Sequence, residues 1–262
     1  MAEAGGSAAK SMPEMALPTI EIYPDLLALS RLAAERFARL AQEAVSARGY
    51  FLVCLSGGST PARTYRLLAE APYRSNLPWG KMAFFWGDER MVPPDHPESN
   101  YGQARQIFLS QVPVKDENIH RIKGELSPAD AVNEYTSLLR RYGEPGLNWP
   151  RFDLLLLGMG ADGHIASIFP GTTSNELAIA PVLSVRGGYQ DKPVERVTLT
   201  PAVFNSARQV IFLVAGADKA DALATVCEPG EKPEDWPARL IRPTEGEVVW
   251  MIDAASAAKI RT

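Results

Sequence analysis

Cysteine and histidine are both scarce in this chain of 262 residues, which carries two of the former, Cys54 and Cys227, and three of the latter, His96, His120 and His164. The two cysteines lie far apart with no metal-like spacing, and the expectation is a pair of reduced, buried thiols. The histidines have no helical or short-loop spacing to one another, so a histidine metal site is not expected. No apolar run approaches the length of a bilayer span, and the start MAEAGGSAAKSMPEM lacks the basic-then-apolar order of a signal peptide. A cytoplasmic location is therefore expected, with residues 1–16 a flexible tail. Positive charge is not in excess: 27 Lys and Arg stand against 31 Asp and Glu, a net charge of -4. Neither a nucleic acid nor an anionic membrane has an electrostatic reason to attract such a chain. An anionic ligand must instead be held by a local cluster of cations and backbone N–H groups. No Gly-Lys-Ser/Thr phosphate loop is present and the glycine-rich run SGGSTP is not a full GxGxxG, so that run does not imply a nucleotide, and no GxSxG elbow supports a serine hydrolase. No repeat, low-complexity linker or charge block divides the chain, and residues 17–262 read as one α/β domain.

What is present alternates between two periods. Apolar residues at helical spacing from Pro24 to Ala47, among them Leu26, Leu29, Ala33, Phe37, Leu40 and Ala44, predict a long amphipathic helix that stops at Gly49. Continuous apolar runs at YFLVCLS, KMAFFWG, FDLLLLG and QVIFLVAG predict strands buried on both faces, with ERVTLT and EVVWMID completing the set. Helices are expected from Pro61 to Ala69, capped by Ser59 or Thr60, and over YGQARQIFLS, SPADAVNEYTSLLRRYG and ADKADALATV. DERMVPPDHPESN reads as a proline-rich loop. Strands alternating with helices imply right-handed crossovers and a mainly parallel sheet covered on both faces, a three-layer Rossmann-like sandwich.

In such sheets ligands bind beyond the carboxyl ends of the strands, which directs attention to four loops. Ser56-Gly57-Gly58-Ser59-Thr60 combines glycines, which admit a ligand close to the backbone, with a helix start whose N–H groups suit an anion. In Asp88-Glu89-Arg90, Arg90 is suited to clamp a phosphate or polarise a carbonyl, and the two carboxylates to orient it or take a proton; an ordinary solvated ion pair fits the motif equally well. Lys219 falls in the first turn of a helix whose dipole disfavours a cation, which suggests a compensating anion. Arg196 stands at a strand start and faces either solvent or the site. In Gly158-Met159-Gly160-Ala161-Asp162-Gly163-His164, His164 is the strongest candidate for acid–base work, since imidazole titrates near neutrality, with Asp162 to hold its ring.

Taken together, LSGGSTP at Leu55–Pro61, WGDERMVP with Ser99-Asn100-Tyr101 behind it, LLGMGADGHIASIFPGT at Leu156–Thr172, RVTLT from Arg196 and VAGADKA resemble the 6-phosphogluconolactonase family. The resemblance spans nearly the whole chain. It implies the glucosamine-6-phosphate deaminase/ribose-5-phosphate isomerase type of fold. It further implies hydrolysis of 6-phospho-D-glucono-1,5-lactone without metal or cofactor, on a chain that is a monomer or a homodimer. On this reading Gly57, Gly58, Ser59 and Thr60, with Ser56, Asp88, Arg196 and Lys219, bind the phosphorylated sugar lactone. His164 is the general base, Asp162 orients it, and Arg90 serves the oxyanion or the phosphate. Two alternatives stand beside it: a glucosamine-6-phosphate deaminase-like enzyme and a non-catalytic sugar-phosphate binding protein. Deaminases pair the histidine with a glutamate five positions on, in a run like DGHIAFNEP, where this chain has Phe169; the binding protein needs no base. The span Thr173–Pro193 reads either as a lid or as an exposed connection.

Overall fold

The computed structural model describes residues 19–172, 175–187, 192–228 and 232–260. The tail expected over residues 1–16 lies outside them. A first strand, β1 (Thr19–Tyr23), leads into α1 (Leu26–Arg48), which begins where the Asp25 carboxylate accepts the Ala28 N–H and ends at Gly49 in the left-handed region, φ 83°. Then follow β2 (Phe51–Leu55), α2 (Ser59–Leu68), the short α3 (Tyr73–Asn76), β3 (Met82–Trp86), β4 (Asp88–Arg90), α4 (Asn100–Ile107), β5 (Ile119–His120) and α5 (Pro128–Arg141). The second half contains β6 (Leu154–Leu157), β7 (Val182–Arg186), β8 (Glu195–Leu199), the short α6 (Pro201–Phe204), β9 (Gln209–Val214), α7 (Ala220–Cys227) and β10 (Glu247–Asp253).

Seven strands form one sheet in the order β1-β10-β9-β6-β2-β3-β5, and every pair in it is parallel. The strands read as continuous apolar runs are the central ones: each residue of β2, β3, β6 and β9 is buried, as strands covered on both faces require. From β2 the chain builds outward through β3 to β5, returns to the other side of β2 as β6, and continues through β9 to β10. The direction of winding thus reverses between β2 and β6. Their pairing is limited to Val53↔Leu154 and Cys54↔Leu155, so the two strands part before their carboxyl ends. A crevice at such a switch point is the ligand site of open α/β sheets.

Four sequence expectations are corrected. Asp88–Arg90 is not part of a loop: it is a strand, paired antiparallel with β8, which also pairs with β7, in a second three-stranded sheet. Its charged residues carry no apolar periodicity, and its partner lies more than a hundred positions on. The described part of the span Thr173–Pro193 carries a strand, β7, which neither reading of that span included. Helix α2 begins at Ser59 itself with Gly58 in the capping position, and no side chain caps it. Of the two thiols, Cys54 is buried but Cys227, ending α7, is exposed. No described helix is long and apolar enough to cross a membrane.

Candidate active site

The loops that follow β2, β3, β6 and β9 meet at the switch point around a cleft of about 570 Å³. Of the residues singled out from the sequence, Ser56, Gly57, Gly58, Ser59, Thr60, Asp88, Arg90, His164, Arg196 and Lys219 all line it. Asp162 stands behind His164, bonded to its ring.

Two buried tyrosines fix the strand ends that carry the first two loops. The Tyr65 hydroxyl donates to the Ser56 carbonyl at 2.9 Å and accepts the Ser56 N–H at 3.2 Å. Tyr135 on α5 does the same to Trp86, donating at 2.9 Å and accepting at 3.0 Å. Beyond Ser56, Gly58 takes φ 106°, a conformation that L side chains avoid, and α2 starts with neither a capping side chain nor an acidic residue in its first turn. Its first N–H groups therefore face the cleft as donors for an anion. A Cβ on Gly57 would come within 1.9 Å of Asn100 Oδ1, so the amide of Asn100 and the glycine fit only together.

The buried carboxylates of β4 are committed to protein partners. Asp88 accepts the Ser167 hydroxyl at 2.6 Å and the Asn100 amide at 3.1 Å. Glu89 does not orient the Arg90 guanidinium; it accepts the N–H groups of Arg90, Asn100 and Tyr101 and the Ser99 hydroxyl. Burial pushes its carboxyl up to about 7, against those hydrogen bonds, which favour the ionised form. Arg90 Nη1 is held by the Glu98 carbonyl at 2.6 Å and carboxylate at 3.2 Å. Arg196 faces the site rather than solvent: it is 4% exposed, and its guanidinium lies 5.7 Å from the centre of the Phe169 ring. Lys219 closes a 3-10 turn, Ala217–Lys219, that runs into α7, and the anion that compensates it is its neighbour Asp218, 3.1 Å away. The turn before it is anchored where Gly216 N–H donates to the Asp253 carboxylate at the end of β10.

His164 Nδ1 lies 2.6 Å from Asp162 Oδ1. A carboxylate at that distance places the proton on Nδ1, so Nε2 is the ring nitrogen turned away from Asp162. The loop is folded on itself: Gly160 N–H donates to the His164 carbonyl, Gly163 N–H to the Gly160 carbonyl, and Gly163 adopts φ 77°. A Cβ on Gly160 would sit 2.0 Å from His164 Nδ1 and 2.5 Å from Asp162 Oδ1, so only glycine leaves room for the pair. The ring of Phe169 packs on the imidazole with centres 5.0 Å apart. The other histidines stand elsewhere: His96 Nδ1 accepts the Glu98 N–H within its own turn, and His120 pairs with the Tyr142 hydroxyl at 2.7 Å. Among the described residues no group of three or more His, Cys, Asp or Glu is placed to hold a metal ion.

Sequence reasoning did not place Asn100, Ser167, Arg66, Gln103 or Lys192 in the site. Asn100, Arg66, Gln103 and Lys192 line the cleft, and Ser167 meets it through Asp88. The signal available for Asn100 was its place directly after Ser99, which caps α4 by accepting the Gly102 N–H.

A parallel sheet with an uncapped helix start, five cationic side chains (Arg66, Arg90, Lys192, Arg196 and Lys219) and a carboxylate-held imidazole around its switch point defines an α/β enzyme site for a small anionic substrate. The family model for glucosamine-6-phosphate isomerases/6-phosphogluconolactonase matches residues 24–250, and the chain belongs to that family. A 6-phosphogluconolactonase of Nostoc sp. is 39% identical over 245 residues, covering 92% of this chain and 98% of its own. The solved structure of 6-phosphogluconolactonase from Trypanosoma brucei superposes with a TM-score of 0.81 at 30% identity, covering 94% of this chain and 99% of that one. A monomeric glucosamine-6-phosphate deaminase shares the fold, with a TM-score of 0.79 at 22% identity, covering 92% and 99%.

Proposed function

We propose that this chain hydrolyses 6-phospho-D-glucono-1,5-lactone to 6-phospho-D-gluconate, the second step of the oxidative pentose phosphate pathway, on a water activated by His164. The observation that carries the role of His164 is its place: a carboxylate-oriented imidazole opposite a helix-start anion cradle in one cleft. The substrate's phosphate rests on the cradle Gly57–Thr60 with Arg196 and Lys219. Binding energy spent there, away from the reacting carbon, fixes the lactone carbonyl near His164. Nε2 takes a proton from water as its oxygen attacks the carbonyl carbon, and Arg90 faces the negative charge that gathers on the carbonyl oxygen. Collapse of the tetrahedral intermediate breaks the bond to the ring oxygen, which receives the proton from the imidazolium, and the free acid then ionises. Asp162 holds the ring in one tautomer throughout.

Phe169 supports lactone opening over deamination, because its apolar ring packs on the imidazole where a deaminase resemblance would require a carboxylate. A cytoplasmic location belongs to the same reading. The test is a parallel assay with freshly prepared lactone and with glucosamine 6-phosphate. Lactone opening well above the spontaneous rate, with no ammonia released, is the expected result. Release of ammonia contradicts the reading, and turnover of neither substrate leaves only a binding protein.

A further inference from the structure

The four donors on Glu89 exceed what the mechanism needs of it. Oε1 accepts Arg90 N–H at 2.8 Å and Asn100 N–H at 2.7 Å, and Oε2 accepts Ser99 Oγ–H at 3.0 Å and Tyr101 N–H at 2.9 Å. The carboxylate is 2% exposed and has no opening to the substrate through which to act on it directly. Its partners, however, are the groups that shape the cradle. Asn100, whose backbone it holds, anchors its side-chain NH2 on the Asp88 carbonyl at 2.9 Å and carboxylate at 3.1 Å. With Nδ2 committed, Oδ1 is turned onto Gly57, into the volume that a side chain there would occupy. Arg90 and Asp88 flank Glu89 on β4. One buried charge therefore ties the start of α4 and the strand carrying Arg90 to the glycine loop of the cradle.

We infer that Glu89 is a positioning residue for phosphate binding, acting through Asn100 on Gly57. The inference rests on the reading of Ser56–Thr60 as the phosphate cradle. Glutamine cannot replace the carboxylate, since its amide nitrogen would confront two donors with a third and leave them without an acceptor.

The experiment compares wild type, Glu89→Gln and Asn100→Ala by steady-state lactone hydrolysis and by titration with inorganic phosphate, read as thermal stabilisation. For Glu89→Gln, KM and the phosphate dissociation constant are expected to rise together by about tenfold or more, with two buried donors orphaned, while kcat falls by less than KM rises. Asn100→Ala keeps Glu89 and its backbone partners, loses only the prop on Gly57, and is expected to show the same shift; it carries the test where Glu89→Gln does not fold. Folded variants that bind phosphate as wild type does overturn the inference. So does a loss confined to kcat. If wild type itself gains no stability from phosphate, the cradle reading fails first, which separates the two failures.

Discussion

Arg90 and Arg196 stand directly opposite each other in the antiparallel pairing of β4 with β8. Opposite residues of such a pair project from the same face, and like charges placed so cost stability unless something compensates them. Arg90 has Glu98, and Arg196 has the face of Phe169. The small sheet thus delivers two guanidinium groups to one wall of the cleft, facing the cradle on the other.

The first prediction concerns that wall. Arg196→Met should weaken binding of inorganic phosphate by about tenfold or more, the scale of one charge-assisted contact, and raise KM for the lactone by a similar factor. The measurement is the rise in melting temperature with phosphate concentration, which follows ligand occupancy. Equal stabilisation of variant and wild type would remove Arg196 from the phosphate site.

A second prediction uses a methyl group as a probe of the histidine loop. Gly160→Ala drives a Cβ to within 2.0 Å of His164 Nδ1, so the imidazole must turn away from Asp162. Steady-state kinetics should show kcat falling by about tenfold or more with KM changed little, because the cradle is untouched. A rise in KM alone would mean that the loop serves binding instead.

The third prediction is of stability against pH. His120 is packed against Phe85 and Tyr142, and burial, with the nearby charge of Arg141, pushes its pKa down to about 4. The unfolded chain takes up this proton near the usual 6.5, and the folded one only near 4. The neutral ring therefore contributes stability that is present in full above about 6.5 and is lost as pH falls through about 4. Denaturant unfolding of wild type and His120→Gln at several pH values should show wild type losing stability faster over that window. Parallel curves would place the proton elsewhere.

The parts of this site that were legible in the sequence share a physical cause. Strands buried on both faces leave unbroken apolar runs, and the loops after them are then located by the rule for parallel sheets, which is how His164, the Ser56–Thr60 loop and Lys219 were found together. What escaped lacks such a local signature. Strand β4 is three charged residues made a strand only by pairing with Arg196, Val197 and Thr198. Strand β1 pairs with β10 more than two hundred positions away. The start of α2 was misplaced because Gly58 marks it by backbone angle and not by a capping side chain. Asn100 and Ser167 are uncharged and belong to no motif: Asn100 lines the cleft against Gly57, and Ser167 meets it only through Asp88. Arg196 showed no facing in the sequence because β8 is buried from Arg196 to Leu199, on both of its sides, while Arg196 lines the cleft.

The central claim is that His164 supplies the base, and the most direct measurement is the turnover of His164→Ala on freshly prepared lactone, corrected for spontaneous hydrolysis, with phosphate binding followed in parallel. The account predicts a fall in kcat of about a hundredfold or more, the scale of a lost general base, with phosphate affinity kept. Near-wild-type turnover in a variant that still binds phosphate would contradict it.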